Sequence, residues 1–243
     1  MYDKGGCKMK KLDKIILFSV FFLLVAIIVL MVVMLVQKGR IYLGRNIVYE
    51  NVVEEKKLIS ENIVFLGDSI TEFYDLDKYY DDYYHVQSGH SGDKTYQILD
   101  NMYERVYRYN PSKVFIMLGI NNLVYDGASA EEVTNDIKEI CEKIKDRNKY
   151  TEIYIESISP YSNVWKNEHD NNARSAEEVN PKVVEANKIL KKYAKDNNYT
   201  YIDIYDELAN EEGIFDSKYT DDGLHPNDEG YKHITEKLTK YMK

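Results

Sequence analysis

The sequence predicts an α/β fold, a three-layer α/β/α sandwich with a central parallel sheet, preceded by one N-terminal transmembrane helix. From about residue 62 onward, short apolar segments alternate with longer amphipathic ones, which is the order of strands and helices in a parallel sheet. The strand segments are almost continuously apolar, as expected where helices cover both faces of a sheet. A separate apolar run of 22 residues near the N-terminus has the length of a membrane span.

The first element is this apolar run, from Ile15 to Val36, which contains no charged residue. About 20 such residues cross the hydrocarbon core of a bilayer, so we predict a transmembrane helix at 15–36. Residues 1–14 are then a tail and residues 37–60 a polar stalk. A cleaved signal peptide is the alternative, and it is disfavoured because the run is too long and no small-x-small site follows it.

Charge on either side of the run predicts its orientation. Five lysines precede it, whereas only three basic residues follow it before residue 46. The excess of positive charge places the N-terminus in the cytoplasm and residues 61–243 outside, in a single-pass protein of the cell membrane. The formal net charge is −9, but residues 1–45 carry eight basic and two acidic side chains, so the remainder stands at −15. A domain this acidic, without a continuous row of basic residues, is not expected to bind nucleic acid.

The elements of residues 61–243 follow from their apolar runs and turn residues. Strands are predicted at 62–66, 84–87, 113–118, 151–157 and 199–204, and helices at 94–108, 130–147, about 175–197 and 227–241. The chain has 243 residues, 44% of them hydrophobic, and shows no internal repeat. One domain with a sizeable core is the expected result.

Four polar motifs lie at predicted strand ends or in connecting loops. They are Gly67-Asp68-Ser69-Ile70-Thr71, Ser88-Gly89-His90-Ser91-Gly92-Asp93, Leu118-Gly119-Ile120-Asn121-Asn122 and Asp222-Gly223-Leu224-His225. Because the carboxyl ends of parallel strands share one edge of the sheet, the motifs are expected to converge there. A serine at such a turn is a candidate nucleophile, and an imidazole steered by a carboxylate is its usual base. Each motif taken alone is also typical of an ordinary turn or helix cap without catalytic function.

In the order and content of these four blocks the chain resembles the SGNH hydrolases, also called GDSL-type esterases and lipases, over about residues 61–243. The resemblance implies a flavodoxin-like sandwich with Ser69 as nucleophile, His225 as general base and Asp222 as the group that orients His225. It also implies an oxyanion hole built from the backbone N–H groups of Ser69 and Gly92 and the side-chain amide of Asn121. Such fixed donors stabilise the charge that develops on the carbonyl oxygen.

Two positions depart from the common pattern of that family. Asn122 stands where an aspartate usually follows the asparagine of the third block, and Gln87 stands where asparagine often precedes the second block. Neither change removes a group assigned to the chemistry.

Together the residues and the resemblance predict a membrane-anchored, extracytoplasmic serine esterase that hydrolyses O-acyl esters, with O-acetyl groups on a carbohydrate favoured by family and location. The expected partners are a small-molecule or glycan ester and the membrane; no cofactor or metal is expected, and the oligomeric state is left open. Two alternatives use the same acyl-enzyme: an O-acyltransferase to a sugar hydroxyl, and a lysophospholipase or lipase-like acylhydrolase. Nucleotide binding is disfavoured because Gly89–Thr95 lacks the spacing of a phosphate loop. A non-catalytic binding module is disfavoured because every assigned residue is present.

Other residues have two interpretations each. The polar insertion from Tyr161 to Pro181, which holds the only tryptophan, Trp165, is either a wall of the pocket or a mobile surface loop. His90 either touches substrate or is a solvated loop residue. Asp68 is expected to position the turn, and Cys141 to lie in the core.

Overall fold

Five parallel strands form the centre of the computed structural model, which describes residues 62–242. They are β1 (Ile63–Gly67), β2 (His85–Gly89), β3 (Lys113–Met117), β4 (Glu152–Glu156) and β5 (Thr200–Ile202), arranged in the order β2-β1-β3-β4-β5. The register pairs Gly67 with both Gly89 and Met117, the last residues of the neighbouring strands. The loops that leave these three strands therefore start side by side at one edge of the sheet.

Helices α1 to α8 flank the sheet. They span Ser69–Glu72, Leu76–Tyr79, Thr95–Asp100, Met102–Arg105, Ala130–Arg147, Ala176–Asp196, Tyr205–Leu208 and Asp228–Leu238, in that order. Helix α5 packs against α3 and α6, and α7 packs against α8. The predicted α/β architecture with a parallel sheet and flanking helices is confirmed for the described residues.

Helix α5 forms where the sequence predicts it, because its start and its buried face are both encoded locally. Ser129 caps the helix by accepting a bond from the backbone N–H of Glu132, whose carboxylate accepts one in return from the N–H of Ser129. The buried residues recur every three or four positions: Val133, Ile137, Ile140, Cys141 and Ile144. Cys141 is thus a buried, unpaired core residue.

The prediction of a single helix at 94–108 is wrong. The chain forms α3, then α4, and then a 3₁₀ turn over Tyr107–Tyr109. The break falls at Asn101, whose side-chain amide donates to the carbonyl of Gln97 while its backbone leaves the helical region. Asparagine competes in this way for the bonds that would continue a helix.

Aromatic side chains fill one face of the sheet. Phe65 stacks on Phe115 and Phe115 on Tyr154, with ring centroids 5.0 and 4.5 Å apart. Above them Tyr74 meets Phe65 edge-on, and its hydroxyl lies 2.6 Å from the hydroxyl of Thr235 in α8. The C-terminal helix is thereby tied to the turn that follows the first motif.

The predicted tail at 1–14, transmembrane helix at 15–36 and stalk at 37–60 lie outside the described residues. Within 62–242, no helix is both long enough and apolar enough to cross a membrane.

Candidate active site

The first motif presents Ser69 at the end of β1. Strand β1 stops at Gly67, Asp68 acts as the N-cap, and Ser69 is the first residue of α1. The Asp68 carboxylate accepts a 3.0 Å bond from the N–H of Ile70, which closes the turn. The expected positioning role of Asp68 therefore has a direct structural basis.

The structure brings Ser69, His225 and Asp222 into one hydrogen-bonded line. Nε2 of His225 lies 2.9 Å from Oγ of Ser69, and Nδ1 lies 2.7 Å from Oδ2 of Asp222. Ser69 and His225 are separated by 156 positions in the chain, so only the fold makes this contact. The arrangement is that of a hydroxyl, a base and a carboxylate that steers the base.

The Asp222 carboxylate is held in its ionised form. Burial by itself would raise its pKa, but hydrogen bonds from the His225 side chain and from the backbone N–H groups of His225 and Leu224 outweigh burial and lower the pKa to about 2. Both backbone bonds go to Oδ1 and measure 2.8 Å, which leaves Oδ2 for the imidazole. A charge fixed in this position stabilises a protonated His225.

Thr220 holds the loop that carries Asp222 and His225. Its hydroxyl donates a 2.7 Å bond to the carbonyl of His225 and accepts a 2.9 Å bond from the N–H of Gly223. Sequence reasoning missed this residue, although a threonine two positions before an Asp-Gly pair is a signal for a turn of this kind.

The second and third motifs meet beside the serine. The side-chain amide of Asn121 donates a 3.1 Å bond to the carbonyl of Asp93, which directly follows Gly92. An amide nitrogen carries two hydrogens, so this bond leaves one for a ligand. Gly92 has φ of +79°, a backbone conformation that favours glycine. Two of the expected oxyanion donors, the Gly92 N–H and the Asn121 amide, thus lie on loops that are hydrogen-bonded to each other.

The two departures from the family pattern have structural roles. Asn122 accepts from the N–H of Thr95 and donates to its hydroxyl, so it fixes the start of α3. Gln87 donates 2.9 Å to the carbonyl of Thr71 and accepts 2.8 Å from the N–H of Gly89. Gly89 packs so closely on α1 that a Cβ there would lie 2.2 Å from a backbone nitrogen.

Two aromatic rings flank the imidazole. The His225 ring centroid is 5.0 Å from that of Phe73 and 5.2 Å from that of Trp165, and Phe73 is 53% exposed. Trp165 belongs to the insertion that follows β4, and its indole N–H donates a 2.8 Å bond to the hydroxyl of Tyr125. The guanidinium of Arg174 donates to the Tyr125 carbonyl at 3.0 Å, so the insertion is attached to the segment after β3 at two points. The insertion is a wall of the site.

Two further carboxyl groups and one histidine lie near the site. Burial raises the pKa of Asp68 to about 7, although its bond from Ile70 and the His225 charge act in the opposite direction. Burial alone raises the pKa of Glu156, at the end of β4, to about 8. The His90 side chain is 70% exposed and its Nδ1 lies 3.3 Å from the Asp93 carboxylate, so it is a solvated loop residue at the rim.

A cavity of about 850 Å³ lies on the other side of the Asp222 loop. Its lining comes from the insertion, the start of α6 and residues 205–223, and it includes neither Ser69 nor His225. The cavity therefore borders the loop of Asp222 and His225, through Thr220, Asp221 and Gly223, without containing the candidate nucleophile. No group of three or more histidine, cysteine or acidic side chains within 62–242 is arranged to hold a metal ion.

Comparisons with known proteins show the family and the fold of this chain. Residues 65–233 match the model of the GDSL-like lipase/acylhydrolase family, while no curated protein matches the chain. A structure from Streptococcus pneumoniae described as a platelet activating factor shares 24% identity, covers 88% of this chain and 99% of its own, and has a TM-score of 0.67.

Two more structures share the fold at lower identity. A GDSL-like lipase from Bacteroides thetaiotaomicron is 21% identical over 80% of this chain and 96% of its own, with a TM-score of 0.66. An acetylxylan esterase from Geobacillus stearothermophilus is 18% identical over 75% and 94%, with a TM-score of 0.56. By the family match and this fold, the chain belongs to the GDSL-like lipase/acylhydrolase family and is a serine hydrolase of carboxylic esters.

Proposed function

We propose that the chain is a membrane-anchored, extracytoplasmic esterase that removes O-acyl groups, O-acetyl foremost, from a carbohydrate through an acyl-enzyme on Ser69. The observation that carries the reaction is the hydrogen-bonded line from Ser69 through His225 to an ionised Asp222. This line gives a weak nucleophile the base that it needs.

In the acylation step, Oγ of Ser69 attacks the ester carbon while Nε2 of His225 takes the hydroxyl proton. The carbonyl oxygen becomes an oxyanion, which accepts hydrogen bonds from the N–H groups of Ser69 and Gly92 and from the Asn121 amide. Collapse of the tetrahedral species breaks the bond to the sugar oxygen. That oxygen takes the proton from His225 and leaves as a free hydroxyl.

In the deacylation step, water takes the place of the sugar. His225 removes a proton from the water as it attacks the acyl carbon, and then returns a proton to Oγ of Ser69. The products are a carboxylic acid and free enzyme. Asp222 remains ionised throughout and stabilises the imidazolium in both steps.

The carbohydrate assignment rests on the rings beside the imidazole. Aromatic rings bind the apolar faces of sugar rings, and two rings lie about 5 Å from His225: Phe73, which is exposed, and Trp165, which is partly exposed. The acetylxylan esterase that shares this fold acts on an acetylated carbohydrate, which supports the same chemical class here. Membrane attachment through residues 15–36 is the remaining part of the proposal and rests on their apolar sequence alone.

The test is to incubate the detergent-solubilised full-length chain with three substrates: an acetylated xylo-oligosaccharide, chromogenic esters of increasing acyl length, and a lysophospholipid. We expect release of acetate from the sugar, falling activity with longer acyl chains, and no release by Ser69→Ala. Preference for the lysophospholipid would replace the carbohydrate with a lipid. Acetyl transfer to an added sugar, instead of to water, would make the protein an acyltransferase.

Trp165→Ala tests the sugar part separately. We expect KM for the acetylated oligosaccharide to rise about 10-fold, the loss of one stacking contact worth ~1–1.5 kcal/mol. The small chromogenic acetate, which has no sugar ring, serves as the matched control and should keep its KM. Equal changes for both substrates would show that Trp165 acts on His225 and not on the sugar.

A further inference from the structure

Arg105 makes an unusual set of contacts beneath the candidate oxyanion hole. It is the last residue of α4, and only 15% of its side chain is exposed. One guanidinium nitrogen donates to the carbonyls of Gly67 and Ser88, at 2.9 and 2.5 Å. Another donates to the carboxylate of Asp93, and Nε lies 3.3 Å from the Ser88 hydroxyl.

These acceptors border the groups that are expected to bind the oxyanion. Gly67 precedes the Asp68-Ser69 turn, and Asp93 directly follows Gly92. The Asp93 carbonyl is the acceptor that holds the Asn121 amide. A single guanidinium therefore contacts the segments that carry the Ser69 and Gly92 donors, and it is linked to the Asn121 amide through Asp93.

The loop above Arg105 has little packing of its own. His90, Ser91 and Gly92 are exposed, and no atom lies within 4 Å of the position that a Cβ of Gly92 would take. Apart from Arg105, the contacts that hold it are the 3.1 Å bond from the Asn121 amide to the Asp93 carbonyl, the bonds of Ser91 to the exposed Glu72 carboxylate, a 3.3 Å bond from His90 N–H to Gly67 and the bonds within the turn. The Arg105–Asp93 pair is the largely buried ion pair that anchors this loop.

We propose that Arg105 is a positioning residue that fixes the oxyanion hole, an inference that rests on the proposed acyl-enzyme mechanism. The planar guanidinium of arginine donates hydrogen bonds to several acceptors in fixed directions. The single ammonium group of lysine cannot make the same set of bonds. Displacement of a catalytic group by about 1 Å lowers rates by about 10²-fold. The residue acts on the transition state through the donors and does not itself touch substrate.

The test compares Arg105→Lys with Arg108→Lys in the full-length chain. Arg108 is three residues away, half exposed, and paired with Glu104 on the surface, so it controls for the chemical change. We expect Arg105→Lys to lower kcat about 10- to 100-fold with KM within about 3-fold, and to slow fluorophosphonate labelling of Ser69 by a similar factor. Arg108→Lys should behave as wild type.

Asp93→Asn supplies a second variant that keeps the shape of the partner. It should also lower kcat, and the double variant should lose less than the product of the two single losses, because the residues act as one unit. A melting temperature that falls while kcat and labelling stay at wild-type values would overturn the proposal, as would additive losses in the double variant. If wild type is neither active nor labelled at Ser69, the proposed function fails first and the positioning role fails with it.

Discussion

Replacing Asp222 by asparagine removes the charge beside the imidazole with little change in side-chain size. The backbone N–H groups of Leu224 and His225 both donate to Oδ1, so they will hold the amide oxygen of the new side chain in that place. The amide NH₂ then faces Nδ1 of His225. This arrangement favours the tautomer that carries its hydrogen on Nε2, which cannot accept the proton of Ser69.

The size of the loss follows from two contributions. The fall in the Asp222 pKa from the usual 3.8 to about 2 corresponds to ~2.5 kcal/mol in favour of the ionised acid. Part of this value comes from the two backbone N–H bonds, which the asparagine oxygen keeps, and 24% of the side chain is exposed. The lost charge is therefore worth about 1–2 kcal/mol, or roughly 10-fold in rate. The unfavourable tautomer adds further loss, so we expect kcat to fall about 10²- to 10³-fold. His225→Ala removes the base itself and should cost about 10⁴-fold or more.

The assay is a pH profile of kcat/KM for wild type, Asp222→Asn, His225→Ala and the control Asp221→Asn. Asp221 is the adjacent, exposed carboxylate, so its replacement removes one local charge without touching His225. Asp222 stays ionised down to about pH 2, so the wild-type carboxylate carries its charge at every pH of the profile. Asp222→Asn with the turnover of Asp221→Asn, or a folded His225→Ala enzyme near wild type, would refute the reasoning.

Three further outcomes are expected. Asn121→Ala should lower kcat about 10²- to 10³-fold with little change in KM, because one oxyanion donor is lost; initial-rate kinetics will show it. Glu156→Gln should have a higher urea midpoint than wild type at about pH 9, but not at about pH 4. The folded protein keeps Glu156 protonated up to a pKa of about 8, whereas the unfolded chain ionises it near 4.5, so wild type loses a few kcal/mol of stability as the pH rises between these values. Protease added to intact cells should digest residues 61–243, and protection of that part until lysis would reverse the predicted orientation.

Sequence signals predicted the helices and strands that depend on interactions between residues close in the chain. The capping box at Ser129 and the buried repeat after it place α5 at the predicted bounds. The strands begin and end within about three residues of their predicted limits, because continuous apolar runs and turn residues mark them. The break at Asn101 depends on one side chain bonding back to the helix, which periodicity does not detect.

The site could be predicted where a short motif places a recognisable polar residue at the end of a strand or in a connecting loop. The blocks around Ser69, Gly92, Asn121 and His225 were found in this way. Contacts between distant segments carry no such signature. The buried position of Arg105 beneath the second motif, and the placement of Trp165 against His225, follow only from how the loops pack in three dimensions.

Covalent labelling of Ser69 tests the central claim most directly. The full-length chain is treated with a serine-directed fluorophosphonate, and the adduct is located by peptide mapping in wild type, Ser69→Ala and His225→Ala. Ser217→Ala, which changes an exposed serine outside the four motifs, is the matched control. The account predicts one adduct on Ser69 in wild type and in Ser217→Ala, none in Ser69→Ala, and slow labelling without His225. Undiminished labelling of Ser69→Ala, or an adduct on another serine in wild type, would contradict it.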